Sequence, residues 1–255
     1  MDADVEMLLA MAKATAIDRH ILVQPSIYAA DNSCLLAALE TLGNARARGV
    51  IVVDKTLGMA EIDRLQKLGV RGLRLNLKSN GMPNRLAIQA ALVNAVKIAE
   101  RHNWHIQLFI PPEALRALAD QFLVLPVPVV LDHFGLLSPH HLDEPTLSTI
   151  KRLLDSGNCW IKLSGTYRIA KNPTHPDVGD LARQLFGING DRCVWASDWP
   201  HTPKHNAKFS DNLSEEPFQP IDTVELVKDA LGWLSHRDRT KLFRDNPKTL
   251  YDFDK

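Results

Sequence analysis

Short apolar runs stopped by Gly, Pro, Asn or Asp alternate along this chain with longer stretches whose apolar positions recur every three or four residues. The first kind reads as strands buried on both faces, the second as amphipathic helices. A helix comes first: Met7, Leu8, Leu9 and Met11 form its apolar face, and Asp4 and Glu6 sit where the helix dipole favours negative charge. Ile21-Leu22-Val23-Gln24-Pro25 is then a strand that proline stops. Asp31-Asn32-Ser33 offer N-caps for a helix that buries Leu35, Leu36, Leu39 and Leu42 and ends at Gly43. Further strands are predicted at 49–54, 70–76, 104–110, 127–133, 160–164 and 193–196. Helices are predicted at 60–68, 84–101, from Pro111 onward, and at 144–155, 177–186 and 223–234. A last helix starting at Ser235 is expected to stop before Asn246-Pro247, with a short piece over 248–253.

This alternation implies right-handed βαβ units and a parallel sheet. No strand leads into a GxGxxG turn, which disfavours a dinucleotide-binding fold. Seven strands in one continuous pattern instead fit a TIM-type (β/α)8 barrel, one strand short. With no low-complexity segment, flexible linker or short repeat, residues 1–255 read as a single domain.

Composition narrows the function class. Thirty basic residues balance thirty acidic ones, so neither a nucleic acid nor a membrane surface is an expected partner. Three cysteines without CxxC spacing argue against a disulfide framework or a zinc knuckle and suit a reducing, cytoplasmic setting. Acids stand at the N-terminus where a secretory signal would carry Lys or Arg.

Catalytic groups of such barrels gather at the carboxyl ends of the strands. There the chain places Gln24 and Ser26, Arg74 and Asn76, Asp132-His133, Ser164 and Asp198, while the amino ends are mostly apolar or Gly. Asp198, in Ser197-Asp198-Trp199-Pro200-His201, suits a general base or a metal-linked carboxylate; the plain alternative is a loop cap. His133 suits a metal ligand or proton carrier, the alternative being a ring satisfied by backbone. Asp132, as its neighbour, is expected on the opposite face, anchoring helices or loops. Arg74 suits a clamp for a substrate carboxylate or a structural ion pair, and Arg168, placed on a mobile loop, is a similar clamp. His201 reads as a substrate or loop contact. His140, His141, His175 and His205 read as solvated surface residues. The polar segment 203–220, with Phe209 and Phe218, reads as a loop over the pocket.

Several stretches in order resemble the amidohydrolase-related family, in its 2-pyrone-4,6-dicarboxylate lactonase-like branch. They are Val23-Gln24-Pro25-Ser26, Gly69-Val70-Arg71-Gly72-Leu73-Arg74-Leu75-Asn76, Leu131-Asp132-His133-Phe134-Gly135, Lys162-Leu163-Ser164-Gly165, Trp195-Ala196-Ser197-Asp198-Trp199-Pro200-His201 and Asp245-Asn246-Pro247. The resemblance implies a distorted barrel that hydrolyses a small lactone, ester or amide. Asp198 would take a proton from the attacking water, and His133 would polarise the carbonyl or hold a metal. The cofactor is then one divalent ion, zinc or manganese, held by His133 and Asp198, or none, as in the pyrone lactonase branch. The partner is a small-molecule substrate carrying one carboxylate, and a homo-oligomer is compatible with the family.

Two departures matter. The family's His-x-His pair is absent, and the first recognisable element matches the helix after the family's first strand. An N-terminally incomplete barrel is therefore expected, with exposed edges at 21–24 and 194–196. That absence keeps open an inactive, truncated relative acting as a binding or assembly protein; a metal-dependent decarboxylase of the same superfamily is a third reading, which the missing histidines weaken most. Leu136 also stands where the lactonase branch has an arginine, and Phe109 where a tyrosine would serve polar substrates, so a single acidic group is expected rather than two.

Overall fold

The computed structural model describes residues 3–54, 56–78, 85–203 and 217–253. It contains the seven expected strands: β1 (His20–Val23), β2 (Ala47–Ile51), β3 (Val70–Asn76), β4 (His105–Phe109), β5 (Val129–Leu131), β6 (Cys159–Ser164) and β7 (Cys193–Ala196). They form one curled parallel sheet in sequence order, each strand paired with the next. Around it run α1 (Val5–Thr15), α2 (Ser33–Leu42), α3 (Met59–Leu68), α4 (Arg85–Ala99), α5 (Pro112–Leu123) and α6 (Glu144–Asp155). Then come the single turn α7 (Thr166–Ile169), α8 (Pro176–Ile188), α9 (Thr223–Gly232), α10 (His236–Thr240) and α11 (Asn246–Leu250). No helix among the described residues is long and apolar enough to cross a membrane.

The two faces of the strands serve different cores. Outward residues such as Leu73, Ile106, Leu108, Leu131, Ile161 and Leu163 join the helices in one large apolar cluster. Inward, Val130, Trp160 and Val194 pack with Leu250 as a smaller plug inside the barrel. Registers Gly72↔His105, Arg74↔Gln107 and Val130↔Trp160 stack the inward side chains in layers, as strand pairing in a barrel requires.

Among the described residues neither β1 nor β7 has a second strand neighbour. The edges are nevertheless not bare, contrary to the expectation from the sequence. Outside the gap α1 packs against α9 and α2, so the helical layer is continuous where the sheet is not. At β7, Asn246 Nδ2 donates to the carbonyls of Cys193 and Gly190, both at 2.7 Å, and the Trp195 and Phe243 rings meet at 5.1 Å. Val194 is buried and Ile21, Leu22 and Val23 are half-buried. Occupied carbonyls and covered faces are what protect a sheet edge from further pairing.

The terminal helix does not stop where it was expected to. It runs from α10 through a π-turn at Lys241–Asp245 into α11, with Pro247 in the first turn of α11, where a missing N–H is tolerated. This continuation is what brings Asn246 to β7 and Leu250 into the barrel. Beyond it, Arg48 Nε donates to the Tyr251 carbonyl at 3.1 Å and Nη2 to the Asp252 carbonyl at 2.7 Å, while the guanidinium lies 4.4 Å from the Phe253 ring centroid. The C-terminal residues thus seal the amino-terminal end of the barrel.

His105 lies in this seal, fully buried and edge-on to Tyr251 at 5.3 Å. Its ring covers Gly72, where a Cβ would come within 2.4 Å of it, so only glycine leaves the room. Burial pushes the His105 pKa down to about 3. Above the ordinary histidine value folded and unfolded chains are both neutral here; below it only the unfolded chain takes up the proton. Stability should therefore fall as pH drops from 6.5 toward 4.5, by roughly 1 kcal/mol per pH unit from this residue. Urea unfolding at a series of pH values should show that slope, and His105→Leu should flatten it; an unchanged slope would contradict a neutral buried imidazole.

Candidate active site

A layer of charge forms the floor of the barrel mouth. Lys162 Nζ stands 3.0 Å from Asp132 Oδ1 and donates to Gln107 Oε1 at 2.7 Å, and Gln107 Nε2 donates to Asp132 Oδ2 at 2.9 Å. Arg74 Nε lies 4.0 Å from the same carboxylate. Burial alone would raise the Asp132 pKa, but the charges of Lys162 and Arg74, joined by His133 only when that ring is protonated, outweigh it and hold the group ionised. Asp132 therefore points into the barrel, not toward the helices as its position beside His133 had implied.

The reason is local backbone geometry. β5 ends at Leu131, so Asp132 continues the inward phase of Val130. His133, Phe134, Gly135 and Leu136 then take φ of 52°, 57°, 61° and 59°, a left-handed run that turns the chain across the top of the sheet. This brings the His133 ring back over the barrel, with Nδ1 3.0 Å from Ser164 Oγ and its ring edge-on to Phe109 at 5.3 Å. Asp198 is turned in the same way by a φ of 61°.

His133 and Asp198 meet above Gly165. A Cβ on that residue would stand 2.7 Å from His133 Nδ1 and 2.9 Å from Asp198 Oδ2, and its φ is +59°. Both space and backbone demand glycine. Asp198 Oδ2 accepts from Tyr167 Oη at 2.6 Å and from Arg168 Nε at 2.5 Å, and Arg168 Nη2 donates to Thr202 Oγ1 at 3.0 Å. Among the described residues no donor is bonded to Asp198 Oδ1. Burial would raise the Asp198 pKa; His133, Arg168 and the Tyr167 hydroxyl reverse this and keep it below the usual carboxylate value. Burial lowers the His133 pKa, against the opposing pull of Asp198 and Asp132, so the ring is neutral at pH 7.

The remaining sequence-derived residues divide. Ser26 Oγ accepts from Arg74 Nη1 at 2.9 Å and from Asn76 Nδ2 at 2.6 Å, joining β1's loop to β3. Gln24 is fully buried, and its amide donates to the carbonyls of Asp31 and Ala29, which makes it a loop anchor. His201 is buried, with Nε2 2.8 Å from Thr223 Oγ1 at the start of α9. Arg168 sits on the helical turn α7, mostly buried, and not on the mobile loop expected for it. Of the segment 203–220, residues 204–216, including His205 and Phe209, lie outside the described residues.

A catalytic zinc takes three protein ligands. At the barrel mouth His133 and Asp198 are not joined by a third His, Cys, Asp or Glu among the described residues, and Asp198 Oδ2 is already held by an arginine. These residues do not fit a zinc or manganese ion.

Sequence reasoning missed Lys162, Gln107 and Tyr167. The first two were within reach: Lys162 is two residues before Ser164, and Gln107 lies between His105 and Phe109 with the same strand phase. Tyr167 had no such signal, because its hydroxyl reaches Asp198 only through the turn of α7.

The amidohydrolase family model matches residues 1–253. A 4-sulfomuconolactone hydrolase of Hydrogenophaga intermedia is 28% identical over 252 residues, covering 98% of this chain and 80% of that protein. A 2-pyrone-4,6-dicarboxylate hydrolase of Comamonas testosteroni is 28% identical over 265 residues, covering 98% of this chain and 81% of its own. Among solved structures, a candidate 2-pyrone-4,6-dicarboxylic acid hydrolase of Acinetobacter baumannii with citric acid bound superposes with a TM-score of 0.78 at 27% identity. That match covers 98% of this chain and 90% of the other.

Replacing Gly165 tests the crowding over which the site is built. Gly165→Ala should cost roughly 2–4 kcal/mol in urea unfolding, from the left-handed backbone and the forced contacts together. Gly187→Ala in α8, where a Cβ would meet nothing within 4 Å, should be neutral or stabilising. Equal effects of the two would remove the argument for a crowded site.

Proposed function

The chain belongs to the amidohydrolase family, and on that premise we propose that it hydrolyses a small lactone bearing an acidic substituent. The observation that carries this reading is Asp198: an ionised carboxylate beside a neutral histidine, with one oxygen tied to Tyr167 and Arg168 and the other bonded to no donor among the described residues. Asp198 Oδ1 holds the attacking water and takes its proton as the hydroxyl oxygen bonds to the lactone carbonyl carbon. Ser164 donates its hydroxyl hydrogen to His133 Nδ1, which leaves the ring proton on Nε2 to polarise the carbonyl oxygen. When the ring C–O bond breaks, the proton on Asp198 passes to the departing alkoxide, and a hydroxy acid is released.

The acidic substituent follows from the charge in the barrel. Among the described residues lining that interior, Arg74, Lys162 and Arg168 are three cations against two carboxylates, Asp132 and Asp198, while burial lowers the pKa of His105, His133 and His201 and keeps them neutral. One anionic group restores balance. Arg74 is the favoured clamp, because its Nε is buried without a hydrogen-bond partner. Arg168 is the second, and drawing its charge toward the substrate would raise the proton affinity of Asp198. The names of the relatives agree with this: each joins a lactone or pyrone with an acidic group. A metal-dependent decarboxylase is disfavoured by the donor set at the mouth.

Purified protein assayed on a panel of five- and six-membered lactones, with and without a carboxylate or sulfonate, tests the reading. Asp198→Asn should lower kcat by about 10²–10⁴-fold, and Arg74→Met should raise KM for acidic lactones far more than for neutral ones. Equal turnover by wild type and Asp198→Asn would dispose of the assigned base. For the wild type, kcat/KM should be level from pH 8 to pH 6.5, since Asp198 titrates below the usual carboxylate value and His133 below the usual histidine value. An increase in kcat/KM as pH is raised from 6.5 to 8 would mean that another group is the base.

A further inference from the structure

Away from the barrel mouth, a second set of chemically active side chains converges on the rim. His140 belongs to the segment between β5 and α6; His175 and Asp177 open α8. Their ligand atoms all lie within 4.8 Å of one another. His140 Nδ1 is 3.0 Å from Asp177 Oδ2, and His175 Nδ1 is 3.4 Å from Asp177 Oδ1. The two imidazoles meet edge to face, centroids 5.0 Å apart. The sequence reads both histidines as solvated surface residues; the fold brings them together.

We propose that His140, His175 and Asp177 form a binding site for a divalent transition-metal ion of the zinc type. The donor set selects the class: two imidazoles and one carboxylate suit zinc and its neighbours, whereas calcium and magnesium take oxygen ligands. His140 Nδ1 lies 3.0 Å from one carboxylate oxygen of Asp177 and His175 Nδ1 3.4 Å from the other, and one ligand atom from each residue falls within 4.8 Å of the others, so small side-chain rotations would bring all three onto one ion. An ion enters by exchanging His–carboxylate contacts for coordination bonds, without moving the backbone far. The three side chains are 39–43% exposed, so water can complete the coordination sphere.

Two features set the affinity. His175 Nδ1 accepts from the Asp177 amide at 3.3 Å as the cap of α8, and a bound ion competes with that bond. The positive end of the α8 dipole also opposes a cation, and the Asp177 carboxylate offsets it. Both features weaken the hold on an ion, so the site is expected to exchange its metal with solution.

Placement gives the ion a consequence. The loops it would join follow β5 and β6, the strands that carry His133 and Ser164. The second loop leads from α7, which carries Tyr167 and Arg168, into α8. A metal would tie these loops at the rim and brace α7 against the site, without touching the reacting atoms.

Calorimetric titration of the full chain with zinc chloride at pH 7.5 tests the proposal, with cobalt(II) as a spectroscopic probe. Wild type and Asp198→Asn should each bind one zinc ion with equal affinity. His140→Ala, a change in an exposed loop that leaves the α8 cap in place, should weaken binding by about tenfold or more and abolish the rise in unfolding temperature that zinc produces. The cobalt complex should show the visible bands of imidazole–carboxylate coordination in wild type and lose them in His140→Ala. Absence of stoichiometric uptake, or zinc bound as tightly by His140→Ala as by wild type, would overturn it. So would loss of binding in Asp198→Asn, which would place the ion in the barrel mouth.

Discussion

The buried pairing of Asp132 with Lys162 is the constraint on which the upper half of this barrel depends. Removing a carboxylate and an ammonium from water costs several kcal/mol per ion unless each finds partners. Here Gln107 bridges the two, giving its amide hydrogen to one and its carbonyl to the other, and Arg74 adds positive field from the next strand. The members come from β3, β4, β5 and β6, so the network also holds the register of four strands. A slip of one residue would send each charge outward into the apolar layer of helices. It marks the level at which the barrel changes from the plug of Val130, Trp160 and Val194 to polar chemistry.

Everything at the mouth stands on that floor. Ser164 is two residues beyond Lys162 on one strand, and His133 follows Asp132 on another, so the positions of the charges fix those of the reactive groups. Above them, two left-handed turns and one glycine let an imidazole and a carboxylate approach. The electrostatics there balance opposing needs. Arg168 and Tyr167 keep Asp198 ionised in a buried setting, yet the same contacts lower its basicity. On the proposed function, a substrate that engaged Arg168 would relieve that restraint as it binds, so recognition and activation would act through one side chain.

The gap between β7 and β1 is managed by neighbours from opposite ends of the chain. α1 and α9 close the outer layer, Asn246 occupies carbonyls beside β7, and Arg48 fastens the final residues under the barrel. Stability at this seam comes from side-chain contacts and hydrogen bonds to exposed backbone groups, in place of a further strand ladder.

Much of the fold was legible in the residues themselves. Seven apolar runs became seven strands in order, because burial on both faces leaves a local signature in a few consecutive residues. The polar residues at the carboxyl ends, Arg74, Ser164 and Asp198 among them, were legible for the same reason. The period-two rule failed at His133, because the strand ends two residues earlier than predicted, at Leu131, and His133 enters a left-handed turn. The helix boundary at Asn246-Pro247 failed because a proline in a first turn looks, in sequence, like a proline that breaks a helix. Sequence alone therefore determined the strands, their facing and the list of polar groups at the mouth. Only the tertiary structure decided which of those groups touch: that Gln24 and His201 hold loops, that Tyr167 and Arg168 grip Asp198, and that His140 meets His175. Facing is set by neighbours along the chain, whereas these contacts are set by the curvature of the sheet and the turns above it, which bring together residues that no local pattern relates.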